Sequence, residues 1–138
     1  MDIIHRLPPY RKISELSAFQ LGQRLSWAHT KYGVPDLWPI GNYGQDIVIA
    51  VLDTGCDLDG EDIRENIIDA KDFTGSTFGP RDQAGHGTHC ASSIAGLHNQ
   101  LGAAGVGPRV KIVVVKVLGS DGAGRSSWIA SGIRYCIQ

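Results

Sequence analysis

Two short stretches of this chain hold side chains able to share and move a proton. Asp53 ends the apolar run Ile47-Val48-Ile49-Ala50-Val51-Leu52 and leads into Thr54-Gly55. His86 follows 33 positions later, within Gly85-His86-Gly87-Thr88-His89-Cys90-Ala91. A carboxylate held against an imidazole fixes the ring's tautomer and stabilises the imidazolium, which turns the ring into a general base. The glycines flanking His86 strip bulk from its surroundings and leave the ring approachable by a substrate. Taken alone, Asp53 reads equally well as a turn residue capping Gly55, and it is the second motif that favours chemistry. His89, one helical turn on, is expected to face the helix interior in a structural role. Cys90 reads as a small buried hydrophobe and Cys136 as helix packing, while Cys56 is left open.

The elements that would position these groups follow from the hydrophobic pattern. The run 47–52 is continuous rather than alternating, as in a strand buried on both faces of a parallel sheet. A helix built largely of small residues is expected from about His86 to Leu97, close against that sheet. A second buried strand spans Val110 to Leu118, and a glycine-rich loop, Gly119 to Gly124, leads to a helix. Ser126 or Ser127 is its expected N-cap, and Ile129, Ile133, Cys136 and Ile137 form its apolar stripe. Strand, helix, strand, helix in this order implies a right-handed parallel α/β sheet. Residues 33–46 read as loop, with Leu37 and Trp38 packing inward. Residues 1–22 read as an appendage, with a stiff extended segment at Leu7-Pro8-Pro9-Tyr10 and a short helix at 13–20. No strand follows the last helix to cover the open sheet edge, so the sequence looks cut and is expected to expose an apolar edge.

Composition narrows the classes. The chain has 138 residues, 42% hydrophobic and 20% charged, which suits one folded domain rather than a disordered segment. Its net charge of −1 and lack of a basic stripe argue against a nucleic-acid partner. No run of about 18 apolar residues occurs, so no membrane span is expected, and the start of the chain lacks the apolar core of a secretory signal. Three cysteines at no metal-like spacing make a disulfide scaffold or zinc site a poor fit. A soluble cytoplasmic protein is the resulting expectation.

Val51-Leu52-Asp53-Thr54-Gly55 followed by His86-Gly87-Thr88-His89-Cys90-Ala91 strongly resembles the subtilisin-like serine proteases, the subtilases. The resemblance extends from about Gln23 to the last residue and includes Val115-Lys116-Val117-Leu118 and Ser127-Trp128-Ile129. It implies the N-terminal half of a doubly wound parallel sheet of the subtilisin type, with 1–22 as an extension and 23–138 as part of a catalytic domain. By the same resemblance Asp53 orients His86, the general base, and Gly122, Ala123 and Gly124 form an edge that pairs with the backbone of protein or peptide substrates. It also implies a structural Ca²⁺ held by side-chain oxygens of Gln23, Asp62 and Asn99 and by carbonyls of Leu97, Leu101 and Ala103. The start of the chain looks like the bacterial intracellular subtilisins, in which an extension lies across the cleft and a proline displaces the would-be scissile bond. Leu7, Pro8, Pro9 and Tyr10 would then be inhibitory.

The pattern also departs from the family. The nucleophile motif Gly-Thr-Ser-Met-Ala is absent from these residues, as is the Asn that donates to the oxyanion. Ser92, Ser93, Ser126 and Ser127 do not fill the gap, so these residues alone are expected to be inactive. Two other readings stand beside this one. The first is a non-catalytic module that binds or inhibits a protease. The second is a retroviral-type aspartic protease, which shares the apolar strand and Asp-Thr-Gly but has no use for Gly-His-Gly-Thr-His.

Overall fold

The computed structural model describes residues 2–9 and 23–137. The helix expected at 13–20 and Tyr10 of the extension lie outside them. Three parallel strands form the centre: β2 (Val48–Asp53), β3 (Ile67–Asp72) and β4 (Lys111–Lys116), in the order β2-β4-β3. A separate antiparallel pair joins β1 (Ile4–Arg6) to β5 (Ala123–Arg125). Helices α1 (Trp27–Lys31) and α2 (Val34–Leu37) are short, whereas α3 (His86–Ala95) and α4 (Ser126–Cys136) pack on the sheet.

The central strand β4 explains the layering. Its residues alternate between two cores, as side chains on a strand must. Ile112 and Val114 pack with Ala91 and Ala95 of α3 and with Ile63. Val113 and Val115 pack on the other side with Leu52, Trp128 and Ile129. One helix therefore covers each face, which is why the middle of β4, Ile112 to Val115, is apolar without a break. Ile112 and Val115 are fully buried, each contributing about 1.5–3 kcal/mol. The result is a small α/β domain.

Several expectations need correction. β3 was not foreseen, because Ile67-Ile68-Asp69-Ala70-Lys71-Asp72 mixes charge with apolar residues as a half-exposed outer strand does. The strands at the two edges of this sheet are consequently β2 and β3. Val48 on β2 is 55% exposed. Trp38 is buried, its indole donating to the Val106 carbonyl at 2.8 Å, but Leu37 points outward at 57% exposure. Cys136 and His89 are also exposed, on the outer sides of their helices. Helix α4 takes no side-chain cap from Ser126 or Ser127, which form its first turn after Arg125. No helix among the described residues is long and apolar enough to cross a membrane.

Candidate active site

Asp53 is the last residue of β2, and the strand delivers it to the carboxyl end of the sheet, where α/β folds build their sites. Its carbonyl accepts from the amides of Val117 and Leu118, at 3.0 and 3.1 Å, so the residues just after β4 hold it in place. Its Oδ1 accepts the Thr54 amide at 2.7 Å. His86 opens α3, and its Nδ1 lies 2.9 Å from both Asp53 oxygens. With Nδ1–H donating to the carboxylate, Nε2 becomes the basic nitrogen of the neutral ring. The Asp53 side chain is 11% exposed and that of His86 30%, so the acid is shielded while the ring is reachable.

Two glycines set this spacing. Gly55 has φ +107°, and a Cβ there would sit 2.3 Å from the Pro80 carbonyl oxygen. A Cβ on Gly87 would fall 2.1 Å from the Gly55 oxygen. The first turn of α3 therefore rests directly on the backbone after Asp53, a contact no other residue permits.

Asp82 organises the rest, and the sequence reading missed it. Its Oδ1 accepts from Thr54 Oγ1, Ala84 N and Gly85 N at 2.8–2.9 Å. Its Oδ2 accepts from Thr88 N at 2.8 Å and Thr88 Oγ1 at 2.7 Å. Thr54 Oγ1 in turn accepts the Gly87 amide at 2.9 Å, closing a network between the Asp53 turn and α3. Burial alone would raise the Asp82 pKa, but bonds from Thr88, Gly85 and Ala84 together outweigh it and hold the group below its ordinary value. The available signal was an Asp three residues before Gly85, ahead of an expected helix, where a carboxylate suits the orphan amides.

Beneath the turn, Lys116 is buried and donates to the Thr54 carbonyl. Burial lowers its pKa against the pull of Asp82, Asp72 and Asp53. Cys90 lies under the ring with Sγ 3.7 Å from His86 Nδ1. Burial raises its thiol, with Asp53 and Asp82 adding to the rise, so it is a poor thiolate source. Cys56 is fully buried, and its thiol is pushed up to about 11, first by burial and then by Asp82. Ligand atoms of Asp53, His86 and Cys90 lie within 4.8 Å of one another, a set able to hold a metal ion of borderline softness.

The residues expected to hold Ca²⁺ gather elsewhere, around residues 97–103. Gln23 Nε2 donates to the Leu97 carbonyl and to that of Leu101 at 3.2 Å. Asp62 Oδ2 accepts the Ala103 amide at 2.8 Å, so Ala103 enters through its nitrogen rather than its carbonyl. Asn99 Oδ1 accepts the Leu101 amide at 3.0 Å, within its own turn. Gln23 Oε1 and Asp62 Oδ1 are buried with no hydrogen-bond partner among the described residues. Burial raises the Asp62 pKa, only partly offset by Ala103. The Asp62 oxygen and the Gln23 oxygen, the latter brought beside the Leu97 and Leu101 carbonyls by turning its amide over, form a donor set that suits a hard cation.

Gly122 precedes β5, Ala123 opens it and Gly124 is its middle residue, and β1 lies on this edge with His5 opposite Gly124 and Arg6 opposite Ala123. Leu7 donates its amide to the Gly122 carbonyl at 2.9 Å and is half-buried, while Pro8 and Pro9 are exposed.

The profile of the subtilase family matches residues 44–138. The major intracellular serine protease of Bacillus subtilis (strain 168) is 42% identical over 109 residues, which is 75% of this chain and 34% of that protein. An intracellular serine protease of Paenibacillus polymyxa is 41% identical over 99 residues, 69% of this chain and 30% of that protein. Subtilisin E of Bacillus subtilis is 36% identical over 122 residues, 88% of this chain and 32% of that protein. A parallel α/β domain that sets an acid at a strand end against an imidazole at a helix mouth agrees with these matches, and the chain belongs to the subtilase family. It spans about a third of the length of the curated relatives it matches. The aspartic-protease reading falls with this assignment.

Proposed function

We propose that this chain supplies the Asp–His part of an endopeptidase that cleaves peptide bonds in proteins through an Asp-His-Ser triad, with Asp53 and His86 in the first two roles. The observation that carries the reading is the contact of His86 Nδ1 with both oxygens of Asp53 at 2.9 Å. Asp53 keeps the ring in the Nδ1–H tautomer and stabilises the cation formed when Nε2 takes the hydroxyl proton of the attacking serine. His86 then returns that proton to the leaving amine. The serine and its oxyanion donor belong to parts of a subtilase that these residues do not include, so the residues alone are expected to be inactive. The sheet would be the first portion of the family's doubly wound one, with 23–138 as catalytic domain and 1–22 as extension.

Gly122, Ala123 and Gly124 would pair with the substrate backbone as a neighbouring strand does. Leu7, Pro8, Pro9 and Tyr10 would block the cleft, a role supported by the seat of β1 on β5. That seat also favours the second reading, in which this module inhibits a complete protease. Ca²⁺ would be held by Gln23, Asp62, Asn99, Leu97, Leu101 and Ala103, and would cross-brace 97–103 to the start of the domain. The relatives named intracellular proteases support a cytoplasmic site of action.

The test is a chimera in which residues 1–138 replace the matching part of the Bacillus subtilis major intracellular serine protease. It is expected to hydrolyse a protein substrate after its extension is removed. Replacing His86→Ala should lower turnover by on the order of 10⁶, the loss already known for subtilisin. Turnover that survives this substitution would overturn the triad assignment.

A further inference from the structure

The strand lying on β5 is a bound specimen of what that edge can hold. β1 runs antiparallel to it, with Ile4 opposite Arg125, His5 opposite Gly124 and Arg6 opposite Ala123. Ser126 N to Ile3 O at 2.8 Å and Leu7 N to Gly122 O at 2.9 Å extend the ladder at both ends. Main-chain bonds of this kind accept any sequence that can be extended, so selectivity has to come from side chains. Four of them meet complementary groups: His5 Nε2 lies 2.8 Å from Ser126 Oγ, and the other three set a pattern.

Asp2 reaches the first turn of α4. Its Oδ1 accepts the Ser127 amide at 3.1 Å and its Oδ2 the Ser127 hydroxyl at 2.6 Å. The helix has no side-chain cap of its own, so this carboxylate from the far end of the chain satisfies an orphan amide and meets the positive end of the helix. Arg6 Nη1 lies 3.2 Å from Asp121 Oδ2 and 3.4 Å from the Asp121 carbonyl. Asp121 is already aimed, because its Oδ1 accepts the Ala123 amide at 3.0 Å. Leu7 turns the opposite way from Arg6, as strand periodicity requires, and packs on the cluster of Val115, Val117 and Leu118.

Resting on the reading of Gly122–Gly124 as a substrate edge, we propose that β5 and the first turn of α4 select peptides of one pattern. That pattern is a carboxylate, three intervening residues, a cation and then an aliphatic residue. Ser127 takes the carboxylate, Asp121 the cation, and the Val115–Leu118 cluster the aliphatic side chain. The chain's own Asp2, Arg6 and Leu7 match this pattern and fill the three positions.

The full chain carrying Asp2→Asn and Arg6→Glu tests this, because its strap keeps the ladder but loses both charges. Amide exchange at Ser126 is expected to be about tenfold faster than in the unaltered chain, since each exposed charge contact contributes about threefold. Two capped peptides are then titrated against this variant, one Asp-Ile-Ile-His-Arg-Leu and one Asn-Ile-Ile-His-Glu-Leu. The first should restore Ser126 protection at about tenfold lower concentration. Adding Asp121→Arg should move the preference toward the Glu peptide, and adding Ser127→Ala should weaken only the part due to the carboxylate, since the hydroxyl bond is lost and the amide bond kept. Equal affinity for both peptides would overturn the charge selection while leaving β5 a backbone edge. Binding of neither peptide, together with Ser126 exchange unchanged between the variant and the unaltered chain, would overturn the groove and the substrate edge together. The His86→Ala measurement on the chimera is independent of both results.

Discussion

The Asp53–His86 centre and the turn at 97–103 both present carboxylates and amides close together, yet they treat their oxygens in opposite ways. At the first, both oxygens of Asp82 and Asp53 are engaged by donors from the chain itself. At the second, Gln23 Oε1 and Asp62 Oδ1 are buried without a partner among the described residues. The pKa directions follow suit, with Asp82 held down and Asp62 pushed up. A centre that transfers protons gains from being fully bonded beforehand, because no reorganisation is then left for the reaction. A centre proposed to hold a cation would have to leave lone pairs open, at a cost carried in the ion-free chain.

The sharpest way to break the contrast is Asp82→Ala. It would leave the Thr54 and Thr88 hydroxyls and three amides without their acceptor. A loss of about 2–4 kcal/mol in urea unfolding is expected, together with a weaker coupling of Asp53 to His86. A smaller effect of opposite character is expected from calcium. At a hundredfold excess over its dissociation constant the ion should add about 2.7 kcal/mol, read as a rise in melting temperature that Mg²⁺ does not reproduce. Asp62→Asn should abolish that rise. In calcium-free buffer at neutral pH the same substitution should stabilise slightly, because it removes a charge that burial disfavours. Destabilisation in that buffer would show Asp62 to be an ordinary structural carboxylate.

The smallest effect is in acid. The stability due to Asp82 is present above the unfolded carboxylate value of about 3.9 and is lost as pH falls through its lower folded value. Asp62 in the calcium-free chain has the opposite sign. Its raised folded value means that stability is gained as pH falls toward about 3.9 and lost as pH rises through the folded value. Urea titrations from pH 3 to 7 should therefore show the Asp82→Ala variant converging on the parent at the acid end. The Asp62→Asn variant should lead the parent only at the neutral end.

How much of this was legible follows from range. Asp53 and His86 each sit in a motif whose neighbours announce a strand end and a helix start, so both could be named from local sequence. The apolar runs of β2 and β4 likewise declare strands buried on two faces. β3 was hidden because an outer strand keeps Asp69 and Lys71 exposed, which dilutes any strand pattern. Asp82 was hidden by a polar loop in which a carboxylate is unremarkable until its five donors are seen to converge. Leu37 and Cys136 were misplaced inward because composition does not say which side of a short helix meets the core. The cap of α4 could not be read at all, since Asp2 lies 125 positions from Ser127.

The meeting of Gly55 and Gly87 has a thermal consequence. A Cβ on Gly87 would come within 2.1 Å of the Gly55 oxygen, so two peptide planes touch with no side chain between them. Such a joint contains no rotamers to populate on warming, and therefore little slack. The gap between the acid and the ring should stay nearly constant with temperature up to cooperative unfolding, while contacts cushioned by long side chains loosen well before it.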